Sequence, residues 1–172
     1  MGIPSKGVLH HTAETLDLAD FELEGKPGPK RWRRYQAGRA TKAEQRVIRA
    51  YELDYDKVVA LERAAMRRMQ KYHMSLGWID IGYHRVIFPS GHVYEGRPIG
   101  TLGAHARNGN KLTGYSFSGN YELMYPTEQA IRSFREQLRR DGTTSFVGHF
   151  QVAGNATACP GKHLKQYFNL GG

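Results

Sequence analysis

Cysteine is almost absent from this chain: among 172 residues it occurs once, at position 159. One thiol closes no internal disulfide, so Cys159 is an inert buried side chain, a nucleophile or a metal ligand. Long apolar runs are also missing. No stretch approaches the ~20 residues of a membrane span, so no membrane insertion is expected. The opening stretch, MGIPSKGVLHH, lacks the apolar core of a signal peptide, and nothing in it directs export. Acidic residues are scarce beside basic ones, 16 against 25, which leaves a net charge of +9. That balance favours polyanionic partners such as nucleic acid, anionic lipid or anionic wall polymer. No helix-turn-helix, zinc-finger or RNP pattern accompanies it, so specific nucleic-acid recognition is not expected. Repeats and low-complexity segments are absent too, and a 40% hydrophobic fraction suffices for one core. At this length the chain reads as a single domain, residues 1–172.

What is present is an alternation of strands and helices. GVLHHTA (7–13) predicts a strand ending in His10 and His11. Residues 14–56, with EGKPGPKR inside them, read as an elaborated loop insert. Val58, Leu61, Ala65, Met69, Tyr72 and Leu76 recur at spacings of three and four, predicting an amphipathic helix of about five turns stopped by Gly77. GYHRVIFPSGHVYEG (82–96) predicts a hairpin turning at PSG, and GYSFSGNYE (114–122) a further strand. A second helix is expected over 126–142, with Thr127 as N-cap, Ile131, Phe134 and Leu138 inward, and Gly142 as stop. CPGKHLKQYF predicts a last short helix with Pro160 in its first turn. The fold class is α/β, a small central mixed sheet flanked by helices.

Three groups could meet in such a fold: His10 or His11 at a strand end, His149 after the short strand TSFVG, and Cys159 before a helix. Two imidazoles and a thiolate form a three-ligand set that leaves a fourth zinc position open. Zinc suits the mixture because it accepts both nitrogen and sulfur.

Four stretches in order, VLHHTA, GWIDIGYHRVI, GAHARNGN and GHFQVAGNATACPG, resemble the zinc amidases of the phage-lysozyme and peptidoglycan-recognition-protein superfamily. These are N-acetylmuramoyl-L-alanine amidases, and the looser details are similar to endolysins from phages of actinobacteria. The resemblance implies one zinc ion held by His10, His149 and Cys159, with His11 the neighbour of the first ligand. It implies a catalytic Tyr83, from the GYH motif, and Thr157 two positions before the cysteine. The implied reaction is hydrolysis of the amide between N-acetylmuramic acid and L-alanine in peptidoglycan, lysing the host wall. The enzyme would then be made in the host cytoplasm and act on the wall after release, probing it as a monomer.

Two departures from that pattern stand out. The loop from His149 to Cys159 is two residues longer, with AGNA in place of a Pro-containing turn, and Ser116 occupies a strand position where many relatives carry Glu. Further residues are expected near substrate: His11, His84 and His105, with His84 or His105 as proton donor to the leaving amine. Arg107 and Asn108, with Asn110, are expected to meet the peptide's carboxylate and carbonyls. Tyr83 and His84 are expected on opposite faces of one strand. In the insert, Arg31, Arg33 and Arg34 beside Trp32 and Tyr35 suit anionic wall polymers. Two alternatives accompany this reading: a peptidoglycan-binding module of the same fold that does not cut, and a cysteine hydrolase with Cys159 as nucleophile.

Overall fold

The apolar run before the histidine pair forms β1, Lys6–His11, which is buried from its second residue onward. Strands buried on both faces are what a parallel sheet requires. β1 accordingly lies between two parallel partners, β4 (Thr113–Phe117) and β5 (Ser145–Gly148). β2 (Arg85–Ile87) continues the sheet parallel to β4, and β3 (Val93–Glu95) closes that edge antiparallel to β2. The order is β3-β2-β4-β1-β5, a mixed sheet as expected. This computed structural model describes residues 5–13, 34, 37–39, 41, 42, 45 and 55–171. The insert at 14–56, with its basic run and helical turns, therefore lies outside the described residues apart from a few isolated positions. Among the described residues no helix is long and apolar enough to cross a membrane.

Helices cover both faces. α2 (Glu128–Arg140) and α3 (Lys162–Tyr167) lie over one, where Leu9, Ile87, Tyr115 and Phe117 from the sheet meet Ile131, Phe134 and Leu164. α1 (Tyr55–Ser75) belongs to the other, where Ala65, Met66 and Met69 pack with Val86, Ile81 and Phe88. Its buried stripe departs from the one the sequence suggests. Val58, Glu62, Ala65, Met69 and His73 face inward, while Tyr72 and Leu76 are 59% and 50% exposed. Polar residues hold the stripe because each finds partners. Glu62 accepts from the Ser90 hydroxyl, from His92 Nδ1 at 2.7 Å and from the Tyr94 hydroxyl at 2.9 Å, binding α1 to the β2–β3 hairpin. His73 Nδ1 accepts the Gly82 amide at 3.1 Å. His73 is thus structural, and His92 has a carboxylate partner in Glu62.

α2 begins as its sequence predicts. Thr127 Oγ1 accepts from the Ala130 amide at 3.1 Å and donates to the Pro89 carbonyl at 2.6 Å, so one side chain caps the helix and docks it on the hairpin turn. α3 starts later than expected: Gly161 is its N-cap, and Pro160 stands before the helix rather than in its first turn. Beneath α2 a polar knot closes the sheet. Asp141 takes Arg85 Nη2 at 2.9 Å and the Tyr115 hydroxyl at 3.1 Å, and that hydroxyl also meets Thr143 at 2.8 Å.

Two substitutions test this account. Thr127→Ala should lower stability by about 1–2 kcal/mol in denaturant unfolding, with Thr127→Ser close to the parent. Asp141→Ala should lower it by about 3 kcal/mol, because it removes the closest anionic partner of the largely enclosed Arg85 guanidinium and one partner of the buried Tyr115 hydroxyl.

Candidate metal centre and active site

β1 alternates its side chains across the sheet. Leu9 enters the core under α2, so His10 projects to the α1 side. There its ring lies 4.5 Å from that of His149, which opens the turn His149–Gln151 directly after β5. Cys159, buried before α3, places Sγ 3.8 Å from His10 Nδ1. One ligand atom from each of His10, His149 and Cys159 lies within 4.8 Å of the others, the one such group among the described residues. The end of β1 and a stretch more than a hundred residues further along the chain thereby present two nitrogens and a sulfur to one point.

Hydrogen bonds settle which nitrogens those are. The Leu112 carbonyl only accepts, so His105 Nε2, 3.1 Å away, carries a proton there. His105 Nδ1 is then an acceptor, and His10 Nε2, at 3.1 Å from it, must donate. His10 Nδ1 is left as a bare lone pair facing Cys159 Sγ. A similar arrangement holds His149: its Nε2 donates to Asn155 Oδ1 at 2.9 Å, which frees Nδ1. Metal-binding histidines ordinarily give their second ring N–H to such a partner, which fixes the tautomer and the ring orientation. The donor set therefore fits a borderline-soft dication that takes nitrogen and sulfur together.

Burial sets the protonation of these groups. It holds His10 well below the usual imidazole range, with His105 and His149 adding to the effect, and it lowers His149. His105 is driven down to about 3 by the same cause. Burial pushes the Cys159 thiol up to about 12, opposed by the His11 amide, which points at Sγ from 3.4 Å. A thiol so raised, and 8% exposed, is a poor nucleophile at neutral pH, which disfavours the cysteine-hydrolase alternative. A bound cation acts in the other direction and deprotonates a coordinating thiol.

The remaining expected residues fall into distinct places. Tyr83 is half-buried with its ring 5.2 Å from that of His10. His84 does not turn away from the centre as strand alternation suggested. Residues 81–84 precede β2 and are not strand, so His84 packs 5.7 Å from His105 while Tyr83 meets His10. His84 binds the Thr101 carbonyl through Nε2 and accepts the Gly114 amide at Nδ1. With both nitrogens engaged in His84 and in His105, neither ring offers a proton to a leaving amine; they support the ligand instead. His11 points to the opposite face, and its Nδ1 accepts the Tyr121 amide at 3.1 Å. Thr157 Oγ1 accepts the Cys159 amide at 3.1 Å. Arg107 and Asn108 are exposed beside the centre, with Asn108 Nδ2 on the Ala153 carbonyl, whereas Asn110 Oδ1 is taken by the His105 and Ala106 amides. Of Arg31, Arg33 and Arg34 in the insert, only Arg34 is described, and it is exposed.

Two residues of the centre escaped the sequence reading. His105 was expected near substrate, not behind a ligand. Asn155 was read only as part of a small-residue loop, although an amide in the longer loop between two ligands was the available signal. Glycines make the room that His105 needs. A Cβ on Gly114 would lie 2.5 Å from His105 Cδ2, and one on Gly103 would lie 2.4 Å from it.

No family model matches the chain. The N-acetylmuramoyl-L-alanine amidase of Sus scrofa is 38% identical over 121 residues, covering 64% of this chain and 19% of that protein. Peptidoglycan-recognition protein SC1a of Drosophila melanogaster is 41% identical over 111 residues, 59% of this chain and 58% of the relative. The chain thus spans little more than half of one curated relative and under a fifth of the other. Among solved structures, Drosophila peptidoglycan recognition protein SD superposes with a TM-score of 0.66 at 26% identity, over 98% of this chain and 82% of that one. These relatives and structures are of the peptidoglycan-recognition-protein and type 2 amidase superfamily, and the fold of this chain is that superfamily's.

Gly114→Ala tests the buried support. The added methyl should push the His105 ring off His10, lowering the melting temperature and weakening Zn2+ binding by roughly tenfold or more in chelator competition. Unchanged affinity would show that His10 keeps its orientation without His105.

Proposed function

We propose that this chain is a zinc-dependent N-acetylmuramoyl-L-alanine amidase domain that hydrolyses the amide between N-acetylmuramic acid and L-alanine in bacterial peptidoglycan. The observation that carries the reading is the convergence of His10, His149 and Cys159, donor atoms within 4.8 Å of one another, with Tyr83 packed against the first of them. The amidase and peptidoglycan-recognition names of the relatives support the substrate class.

The three converging side chains would hold the ion. Zinc bound there supplies Lewis acidity toward a carbonyl and makes a water molecule acidic enough to attack near neutral pH. The chain's own groups do the rest. Tyr83, whose ring packs on His10, would donate its phenolic hydrogen to the carbonyl oxygen as that oxygen gains charge, an interaction worth ~3 kcal/mol for a preorganised donor. Thr157 Oγ1 spends a lone pair on the Cys159 amide and keeps its own proton for the same oxygen. Because Ser116 stands where many relatives have Glu, no carboxylate base is supplied from that strand. Arg107, exposed on its loop, suits a carboxylate of the stem peptide.

The wider reading is a phage endolysin of actinobacterial hosts, made in the host cytoplasm, monomeric, and helped onto the wall by its basic insert. A second reading, binding without cutting, is favoured by the recognition proteins among the relatives. The complete donor set and the tyrosine beside it favour hydrolysis.

Digestion of purified peptidoglycan, with mass spectrometry of the released ends, separates the two: free L-alanine amino termini are expected, and intact glycopeptide means binding only. Metal analysis should find about one zinc per chain, reduced in Cys159→Ser. Tyr83→Phe should keep its zinc and its melting temperature while turnover falls at least roughly tenfold. Unchanged turnover would make Tyr83 a packing residue.

A further inference from the structure

We infer that Asn155 is a positioning residue that fixes the ring proton of His149 and ties this ligand to the loop carrying Arg107. The inference rests on the metal-centre reading above and assigns a task to the part of the chain where it departs from the family pattern. Asn155 lies in the stretch between His149 and Cys159 that is two residues longer than that pattern.

Its amide is fully used. Nδ2 donates to the carbonyls of Arg107 at 2.8 Å and Val152 at 2.9 Å, groups that can only accept. That determines which end of the amide is which. Oδ1 therefore faces the Arg107 amide at 3.0 Å and His149 Nε2 at 2.9 Å, and it accepts from both. An acceptor at that place requires the proton of a neutral His149 to sit on Nε2, so Nδ1 keeps the lone pair turned to the centre. A staple between two loops would need only the paired contacts with the Arg107 backbone. The additional contact with His149 makes the same side chain a support of the ligand.

The coupling is mutual. Arg107, two residues beyond His105, donates its N–H to the Asn155 side-chain amide and accepts from it at its carbonyl, and Asn108 Nδ2 adds a bond to the Ala153 carbonyl at 3.0 Å. The loop that supports His10 from behind and the loop that holds His149 are thus joined edge to edge. Displacing one displaces the other ligand's support.

The test uses the whole chain, with Asn155→Ala and Asn155→Asp. Aspartate keeps an acceptor for His149 and for the Arg107 amide but loses both donors; alanine loses everything. Nitrogen-15 NMR of the metal-free parent should show His149 protonated at Nε2 alone. Asn155→Asp should retain that tautomer and bind Zn2+ within about threefold of the parent in chelator competition. Asn155→Ala should give a tautomer mixture and an affinity lower by roughly ten- to a hundredfold, the range found when outer partners of metal ligands are removed. Both variants should melt earlier to a similar degree, since both lose the donors to Arg107 and Val152. A purely structural role predicts loss of melting temperature in both with equal affinities, and that result overturns the inference. So does a parent protein with His149 protonated at Nδ1, or an aspartate variant as weak as alanine. The parent's tautomer and the aspartate variant decide the matter even if the alanine variant does not fold. If the parent takes up no zinc while Asn155→Ala still scrambles the His149 tautomer, the amidase reading falls and the assignment of Asn155 stands.

Discussion

A single carbonyl, that of Leu112, determines where the protons lie at the heart of this molecule. Because it can only accept, His105 must donate to it, His10 must donate to His105, and a bare nitrogen is delivered beside the Cys159 sulfur. Every element around the centre serves that order. β1 carries His10 between two parallel strands that leave it no freedom, Gly103 and Gly114 clear the volume that the His105 ring fills, and Asn110 pins the loop on which His105 sits. Polar groups in this quantity beneath a helix would ordinarily oppose folding. They are tolerated because each imidazole is paired with a fixed partner.

The same pairing explains how the fold responds to acid. Burial holds His105 at about 3, against 6.5 for a free imidazole. Between those values the unfolded chain binds a proton that the folded chain refuses, so this contribution to stability is complete above about 6.5 and is lost progressively as the pH falls toward 3. His73 and His84 are lowered by burial as well and act in the same sense. The direction coincides with that expected of a centre whose ligands must be deprotonated to bind a cation.

Much of this was legible beforehand, and for identifiable reasons. The α/β class followed from alternation of periodicities, and the α2 cap from Thr127 standing just ahead of an amphipathic run, because both are local properties. α1 was located but turned: its apolar residues alone suggested Tyr72 and Leu76, whereas the buried face includes Glu62 and His73. Those two are inward because Ser90, His92, Tyr94 and Gly82 supply partners from distant segments, which no helical period encodes. In the centre, residue types and order were enough to group His149 and Cys159 with one of His10 and His11, and the resemblance to the amidases singled out His10. The supports of the ligands were not legible, since whether a histidine meets substrate or stands behind another histidine depends on which lone pair faces which carbonyl. His84 shows this most plainly. It was assigned by strand alternation to the face opposite Tyr83, but the strand begins only at Arg85, so alternation had no hold on it.

One scaffold serves proteins named for recognition and proteins named for cutting, so the distinction must reside in a few atoms rather than in the sheet. Recognition requires a groove and complementary loops, which survive the loss of any one ligand. Cutting requires in addition a sulfur held among imidazoles and a hydroxyl near the reacting carbonyl. In this chain the sulfur of Cys159 lies among the imidazoles of His10 and His149, and this group is mechanically linked to an exposed loop. The exposed loop at Arg107 and Asn108 is bonded to the loop between His149 and Cys159, while Tyr83 packs on His10 and His73 behind it. A displacement of that exposed loop is therefore transmitted through Asn155 to His149, one of the groups that would hold the ion. On the proposed reading, affinity for the wall and competence at the centre would both depend on this one connected set of hydrogen bonds.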